Sequence, residues 1–234
     1  MPAHSKLYAL IPAAGSGIRA GGAEPKQYAR IAGSTVLAHA LRALLAEPRI
    51  VVAFVVLAAD DPRFCACDWS EFGDRLAPLY CGGPTRARSV ANGLAAVADT
   101  VELEDWVLVH DAARPCLHTS DVSRLVDAVA GDDVGGLLAT PLADTVKQVD
   151  DGGRVARTID RDGLWSAMTP QMFRMGRLLQ ALDAALAAGV ETTDEAAAME
   201  RQGWRALLVQ GARSNIKITY AEDLDVAARL LGSS

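Results

Sequence analysis

The stretch LYALIPAAGSGIRAGGAEPKQ, Leu7 to Gln27, drives an apolar run straight into glycines and cations. Leu7 to Pro12 has the length and unbroken hydrophobicity of a strand buried on both faces. Comparable runs recur at Ile50 to Ala58, Trp106 to His110, Val134 to Ala139 and Ala206 to Val209. Helical periodicity fills the intervals: Thr35 to Ala46, Arg86 to Val97, Asp121 to Val129, Arg174 to Ala188, Asp194 to Gln202 and Glu222 to Leu231. Strands alternating with helices predict an α/β fold with a Rossmann-like, mostly parallel sheet flanked by helices. The glycines, cations and carboxylates just past the apolar runs then fall at the open end of the sheet, where such folds hold phosphorylated ligands.

One stretch breaks the alternation. From Pro141 to Arg161 the chain reads PLADTVKQVDDGGRVARTIDR, two β-like pieces, Thr145 to Val149 and Arg154 to Ile159, around the turn Asp150 to Gly153. This predicts a hairpin arm, and because a two-stranded ribbon is marginal alone, a second copy of the chain is the expected support. With no internal repeats or long linkers, residues 1–234 read as a single domain with 141–161 as its arm.

Composition limits the function. Half of the 234 residues are hydrophobic, enough for a substantial core. Lys plus Arg number 23 against 29 Asp plus Glu, so phosphate-binding cations must be gathered locally and bulk affinity for nucleic acid is not expected. Cys65, Cys67, Cys81 and Cys116 form no CxxC pair, which indicates neither a zinc site nor a disulfide framework. Leu7 to Ala14 is too short to span a bilayer and runs into glycines, so no membrane association and a cytoplasmic location are expected.

Gly15-Ser16-Gly17-Ile18-Arg19-Ala20 formally fits the dinucleotide fingerprint G-x-G-x-x-G/A. Gly21, Gly22 and Pro25 would interrupt the helix that motif requires, and the next strand ends near Asp60, too far on for its ribose-binding acid. A Walker A loop fails for want of Gly-Lys-Ser/Thr. What remains is an open glycine loop whose backbone N–H groups can approach phosphate oxygens, with Arg19 and Lys26 supplying charge. Taken alone, a plain turn with solvated cations fits this stretch equally well.

The order PAAGSGIR (Pro12 to Arg19), PKQ (Pro25 to Gln27), GGPTRARSV (Gly82 to Val90), HDAARP (His110 to Pro115), PLADT (Pro141 to Thr145), IDRDGLW (Ile159 to Trp165), TPQ (Thr169 to Gln171), TDE (Thr193 to Glu195) and NIKIT (Asn215 to Thr219) closely resembles the 2-C-methyl-D-erythritol 4-phosphate cytidylyltransferase family. The resemblance covers almost the whole chain. It implies a nucleotide-diphospho-sugar transferase type of fold and transfer of CMP from CTP to the acceptor phosphate in non-mevalonate isoprenoid synthesis, with release of pyrophosphate. It assigns Arg19 and Lys26 to the triphosphate and the transition state, and Asp111 to a Mg2+ ion near the α-phosphate. Pro12, Ala13, Ala14, Gly15, Ser16, Gly17, Gly82, Gly83, Ser89 and Ala112 would bind CTP. Arg161 and Lys217 would position the acceptor, with Arg114, Thr145 and Thr169 beside it, Thr145 and Arg161 coming from the arm of a homodimeric partner.

Several of these residues have plainer readings. Asp111 is a common kind of turn or cap residue, the basic residues of the arm fit a solvated ribbon, and Thr193 or Asp194 fits a helix cap. His110 is expected to be structural, since a phosphate nucleophile needs no base at neutral pH. Some members of the family it resembles carry an acid just before the Asn of NIKIT; this chain has Ser214 there, and no metal contact is assigned to it. Two other functions compete: a cytidylyltransferase for another polyol phosphate such as ribitol 5-phosphate, and a nucleotide sensor without chemistry, which would need neither Asp111 nor the acceptor cations.

Overall fold

The computed structural model describes residues 5–15 and 25–232. In chain order the elements are β1 (Leu7–Pro12), β2 (Arg30–Ile31), β3 (Ser34–Thr35), α1 (Val36–Leu45), β4 (Ile50–Val56), β5 (Leu76–Leu79), α2 (Arg86–Ala96), β6 (Trp106–Val109), α3 (Thr119–Val129), β7 (Gly135–Pro141), β8 (Val146–Val149), β9 (Val155–Ile159), β10 (Trp165–Arg174), α4 (Met175–Ala187), α5 (Glu195–Arg201), β11 (Leu207–Gln210) and α6 (Glu222–Gly232). Among the described residues seven strands form one sheet in the order β11-β7-β10-β6-β1-β4-β5. Strand β10 runs antiparallel to β6 and β7, while the other neighbours pair in parallel.

The period-2 geometry of the central strands divides the core into two layers. Leu7, Ala9 and Ile11 of β1, Ala53 and Val55 of β4, and Trp106 and Leu108 of β6 pack with α1 and α3. Tyr8 and Leu10, Phe54 and Val56, and Val107 and Val109 face α2, α4 and α5 on the other side. Each fully buried Leu or Val contributes about 1.5–3 kcal/mol, so strands apolar on both faces belong at the centre. A third cluster, Ile31, Val36, Cys116, Ile218 and Ala227, seats α6 and the NIKIT segment beside the β2–β3 hairpin. Helix α2 lies close on the sheet through Gly93, where a Cβ would stand 2.5 Å from a methyl of Val56.

The five expected strands and six expected helices all form, with ends shifted by one or two residues. Two strands of the main sheet were not expected. Strand β5 contains Pro78 and occupies the sheet edge, the position that tolerates a missing N–H donor. Strand β10 carries Pro170 within an irregularity of register between Ala167 and Gln171, where the ladder with β7 is interrupted.

The arm is an antiparallel pair, β8 and β9, forming a sheet of its own. Asp150 closes its turn: the side-chain oxygen accepts the N–H groups of Gly152 and Arg154, and Gly153 takes a φ of +74°. Lys147 donates to Thr158 and Arg157 to Gln148 across the ribbon. Val149 and Val155 are 62% and 60% exposed, so within one chain the arm leaves apolar surface in water.

Candidate active site

A cleft of about 690 Å3 opens at the C-terminal ends of β1 and β6, between the loop after β1, the start of α2 and the NIKIT segment. Its first wall is Pro12 to Gly15. The amide of Ala13 continues the ladder to Val56 O at 2.8 Å, and Gln27 donates its side-chain amide to the carbonyls of Ala13 at 2.8 Å and Gly15 at 3.0 Å. Backbone polarity on this wall is thereby fixed in direction, leaving the small residues close to whatever enters.

The opposite wall is Gly83 to Arg86 with Ser89. Gly82 N–H donates to Leu57 O at 2.8 Å, and a Cβ there would come within 2.3 Å of the Ala14 Cβ, so only glycine lets the two walls meet. Ser89 accepts the Gly83 N–H at 3.0 Å and donates to Thr85 O at 2.9 Å. Thr85 caps α2 by accepting from Arg88 N–H, and the positive end of the helix dipole faces the cleft.

At the third side, Asp111 follows β6. Its amide donates to the buried Thr169 hydroxyl at 3.0 Å, and its carboxylate is surrounded by cations. Arg86 Nε donates to Oδ1 at 2.7 Å, Lys217 Nζ to Oδ2 at 2.7 Å, and Arg114 Nε lies 3.8 Å from Oδ2. Burial alone would raise the Asp111 carboxyl, but Arg86 and Lys217 outweigh it and hold the group well below the usual carboxylate range. It is therefore ionised at any physiological pH. Arg86 also donates both Nη atoms to Glu195, at 2.6 and 3.0 Å, and Glu195 has no exposed surface.

His110 is enclosed, with Nδ1 3.0 Å from Thr169 Oγ1 and Nε2 3.1 Å from Arg114 O. Burial lowers its pKa to about 4, so it is neutral near pH 7. That makes it a brace for the HDAARP turn, the role its sequence context suggested. Arg114 donates to Asn215 O at 2.6 Å, and Asn215 donates its side-chain amide to Thr169 O at 2.8 Å. Lys26 lines the cleft and donates to Ile218 O at 2.8 Å.

The family model of 2-C-methyl-D-erythritol 4-phosphate cytidylyltransferase matches residues 7–233. The chain belongs to this cytidylyltransferase family. It is 49% identical over 230 residues to the enzyme of that name from Azoarcus sp. (strain BH72), covering 98% of this chain and 96% of the relative. With the Laribacter hongkongensis (strain HLHK9) enzyme it shares 52% identity over 228 residues, 97% of each chain. The solved Francisella tularensis 2-C-methyl-D-erythritol 4-phosphate cytidylyltransferase superposes with a TM-score of 0.82 at 35% identity, covering 97% of this chain and all of that one. The Thermus thermophilus structure gives 0.79 at 29%, covering 96% and 98%.

Of the residues singled out for this cytidylyltransferase family member, Pro12, Ala13, Ala14, Gly15, Lys26, Gly83, Ser89, Asp111, Ala112 and Lys217 line one cleft. Gly82 lies directly behind the wall. Ser16, Gly17 and Arg19 fall outside the described residues. Thr145 and Arg161 sit exposed on the arm and do not line the cleft of their own chain. Thr169 is buried, with its hydroxyl engaged by Asp111 and His110, so it acts behind the carboxylate and not on the cleft surface. Ser214 pairs its hydroxyl with His118 Nε2 at 2.9 Å.

Three functional side chains were not singled out: Gln27, Arg86 and Glu195. Gln27 stood in a quoted motif, and its burial beside backbone carbonyls is what reveals its task. Glu195 follows the cap Asp194, whose carboxylate accepts from Ala197 N–H, and there an acid reads as a complement to the helix dipole. Its partner Arg86 lies 109 positions away, a pairing with no local signal.

Proposed function

We infer that the chain transfers CMP from CTP to 2-C-methyl-D-erythritol 4-phosphate, the reaction its family is named for, giving the 4-diphosphocytidyl product and pyrophosphate. The observation that carries this reading is the ionised Asp111 ringed by Arg86, Arg114 and Lys217 at the end of a glycine-walled cleft. A sensor of nucleotide would need the walls but not this cluster.

The chemistry is an in-line displacement. An oxygen of the acceptor phosphate forms a bond to the α-phosphorus of CTP while the bond to the bridging oxygen of the β-phosphate breaks and pyrophosphate leaves. The nucleophile is already deprotonated near neutral pH, so positioning and cationic stabilisation make up the catalytic task. Pro12 to Gly15 offer close backbone to the nucleotide, and the family resemblance adds Ser16 and Gly17 to its binding; Gly82, Gly83, Ser89 and Ala112 enclose base and ribose. Lys26 and Arg19 meet the triphosphate and the charge that grows in the transition state. Lys217, with Arg114 behind it, meets the acceptor phosphate.

Asp111 is the residue that would hold a divalent cation. Among the described residues no group of three or more His, Cys, Asp or Glu side chains could hold a metal ion. A single cleft-facing carboxylate fits Mg2+, which takes one or two protein carboxylates and completes its shell with substrate phosphates and water. When bound there, Mg2+ supplies charge neutralisation at the α-phosphate.

The arm completes the acceptor side in a homodimer. Its exposed Val149 and Val155, with Thr145 and Arg161 lying outside their own cleft, support docking onto a second copy whose site receives both polar residues. No helix among the described residues is long and apolar enough to cross a membrane.

The test is pyrophosphate release from CTP and Mg2+ with methylerythritol phosphate, run beside UTP, ribitol 5-phosphate and an Asp111→Ala control. Release restricted to CTP with methylerythritol phosphate and abolished in the control supports the assignment. Turnover with ribitol 5-phosphate alone would overturn the acceptor, and no turnover with any pair would overturn the enzyme.

A further inference from the structure

Arg86 uses its three kinds of donor on two carboxylates. Nη1 and Nη2 form a fork to Glu195 at 2.6 and 3.0 Å, which sets the plane of the guanidinium, and Nε then points at Asp111 Oδ1 at 2.7 Å. A planar group held at two corners has no remaining freedom to direct the third elsewhere.

Glu195 is itself held. Gln171 of β10 accepts the Ala196 N–H at 2.8 Å and donates to Asp194 Oδ2 at 2.9 Å, pinning the first turn of α5. Two residues earlier in the same strand, Thr169 accepts the Asp111 amide. Strand β10 therefore braces Asp111 twice, once through its backbone and once through α5, Glu195 and Arg86. Arg86 is also the first residue of α2, directly after the wall formed by Gly83 to Thr85, so the same side chain ties the nucleotide wall to the carboxylate.

We propose that Arg86 and Glu195 are positioning residues that lock the Asp111 carboxylate by its Oδ1 and leave Oδ2 as the oxygen available to the cleft. The pair rests on the cytidylyltransferase reading and gives it a support that neither residue's local sequence reveals. Lys217, whose side chain is 41% exposed, occupies Oδ2 at 2.7 Å, with Arg114 Nε further off at 3.8 Å; Arg86, 25% exposed and held by two acids, stays in place. Loss of the lock lets the carboxylate rotate and spread over two orientations. Supports of this kind are worth about 10- to 100-fold in metal affinity when removed.

The experiment compares wild type with Glu195→Gln and Arg86→Lys. Glutamine keeps the shape of Glu195 without its charge, and lysine keeps the charge of Arg86 without its fork. Mn2+ binding is followed by paramagnetic resonance in the presence of a non-hydrolysable α,β-methylene analogue of CTP, alongside Tm and the Mg2+ concentration for half-maximal rate. Both variants are expected to weaken Mn2+ binding by about tenfold or more while remaining folded, with the Mg2+ requirement rising in parallel. A folded variant that binds Mn2+ within about twofold of wild type overturns the proposal, leaving the pair as packing for α5. Failure of both variants to fold overturns it in the same sense. An inactive wild type is a separate result, since it would remove the functional reading before any variant is compared.

Discussion

Gly82→Ala joins fold to function at one atom. A Cβ at Gly82 would lie 2.3 Å from the Ala14 Cβ and 2.7 Å from Leu57 O, whereas ordinary contact begins at 3.4 Å. The walls must part by about 1 Å, and neither is loose. Gly82 N–H is bonded to Leu57 O, Gly83 N–H to Ser89, and the carbonyl of Cys81 to Asn92, while the facing wall is held by Val56 and Gln27. Overpacking of this kind costs about 1–3 kcal/mol of stability. A misplacement of about 1 Å at a reacting site costs on the order of 100-fold in rate. We therefore expect kcat/KM for CTP to fall by about 100-fold, with weaker CTP binding by calorimetry and a lowered Tm. Gly131→Ala is the control, since its Cβ would meet nothing within 4 Å, and it should match wild type. A Gly82→Ala protein with kcat/KM within about fivefold of wild type and an unchanged Tm would show that the walls do not meet as described.

Glu47 is buried and held to a pKa of about 2, chiefly by the Arg49 guanidinium against a burial penalty, with Ser123 assisting. Because its folded pKa lies below the unfolded value, its contribution is present above about pH 4.5 and fades as pH falls towards 2. Acid unfolding curves should therefore lose about 2 kcal/mol of stability across that window, and Glu47→Gln should flatten the loss. Asn215→Ala removes the donor to Thr169 O from a fully buried position, so a destabilisation of about 1–3 kcal/mol is expected by urea unfolding. Mixing inactive Arg161→Ala with inactive Lys217→Ala protein should restore up to about a quarter of wild-type activity through hybrid dimers, as mass action on a shared site requires. No recovery after subunit exchange would show that the arm does not serve a neighbour's cleft.

The alternation of the fold was legible because a strand enclosed on both faces must be apolar at every position. Leu7 to Pro12 and Trp106 to Val109 show that without tertiary knowledge. Strands β5 and β10 were not legible because Pro78 and Pro170 oppose a strand reading unless an edge or an interruption of register absorbs them, and only the assembled sheet supplies either. The same division holds in the cleft. Lys26, Asp111 and Lys217 stand in motifs whose residue types suggest phosphate and metal chemistry. Thr169 reads as an acceptor contact until its hydroxyl is found beneath Asp111, and nothing local marks Arg86 until Glu195 is found against it.

A chain of net charge −6 still presents a cationic cleft, and the reason is local. Around Asp111, among the described residues, three cations, Arg86, Arg114 and Lys217, meet two anions, Asp111 and Glu195, which leaves one positive charge in surplus. Two cations also donate to neutral dipoles, Lys26 to Ile218 O and Arg114, beside its longer contact with Asp111, to Asn215 O. A phosphate oxygen that replaces such a carbonyl exchanges a dipole for a full charge, and charge-assisted hydrogen bonds are about twice as strong as neutral ones. Arg86 is different, because both of its partners are carboxylates, which it grips through Nε and both Nη atoms. Its field is spent on holding Asp111 in place, while the more exposed Lys217 can turn from Asp111 towards an acceptor phosphate. The cluster thus divides into a guanidinium gripped by two carboxylates, which sets geometry, and a more exposed ammonium that answers the substrate.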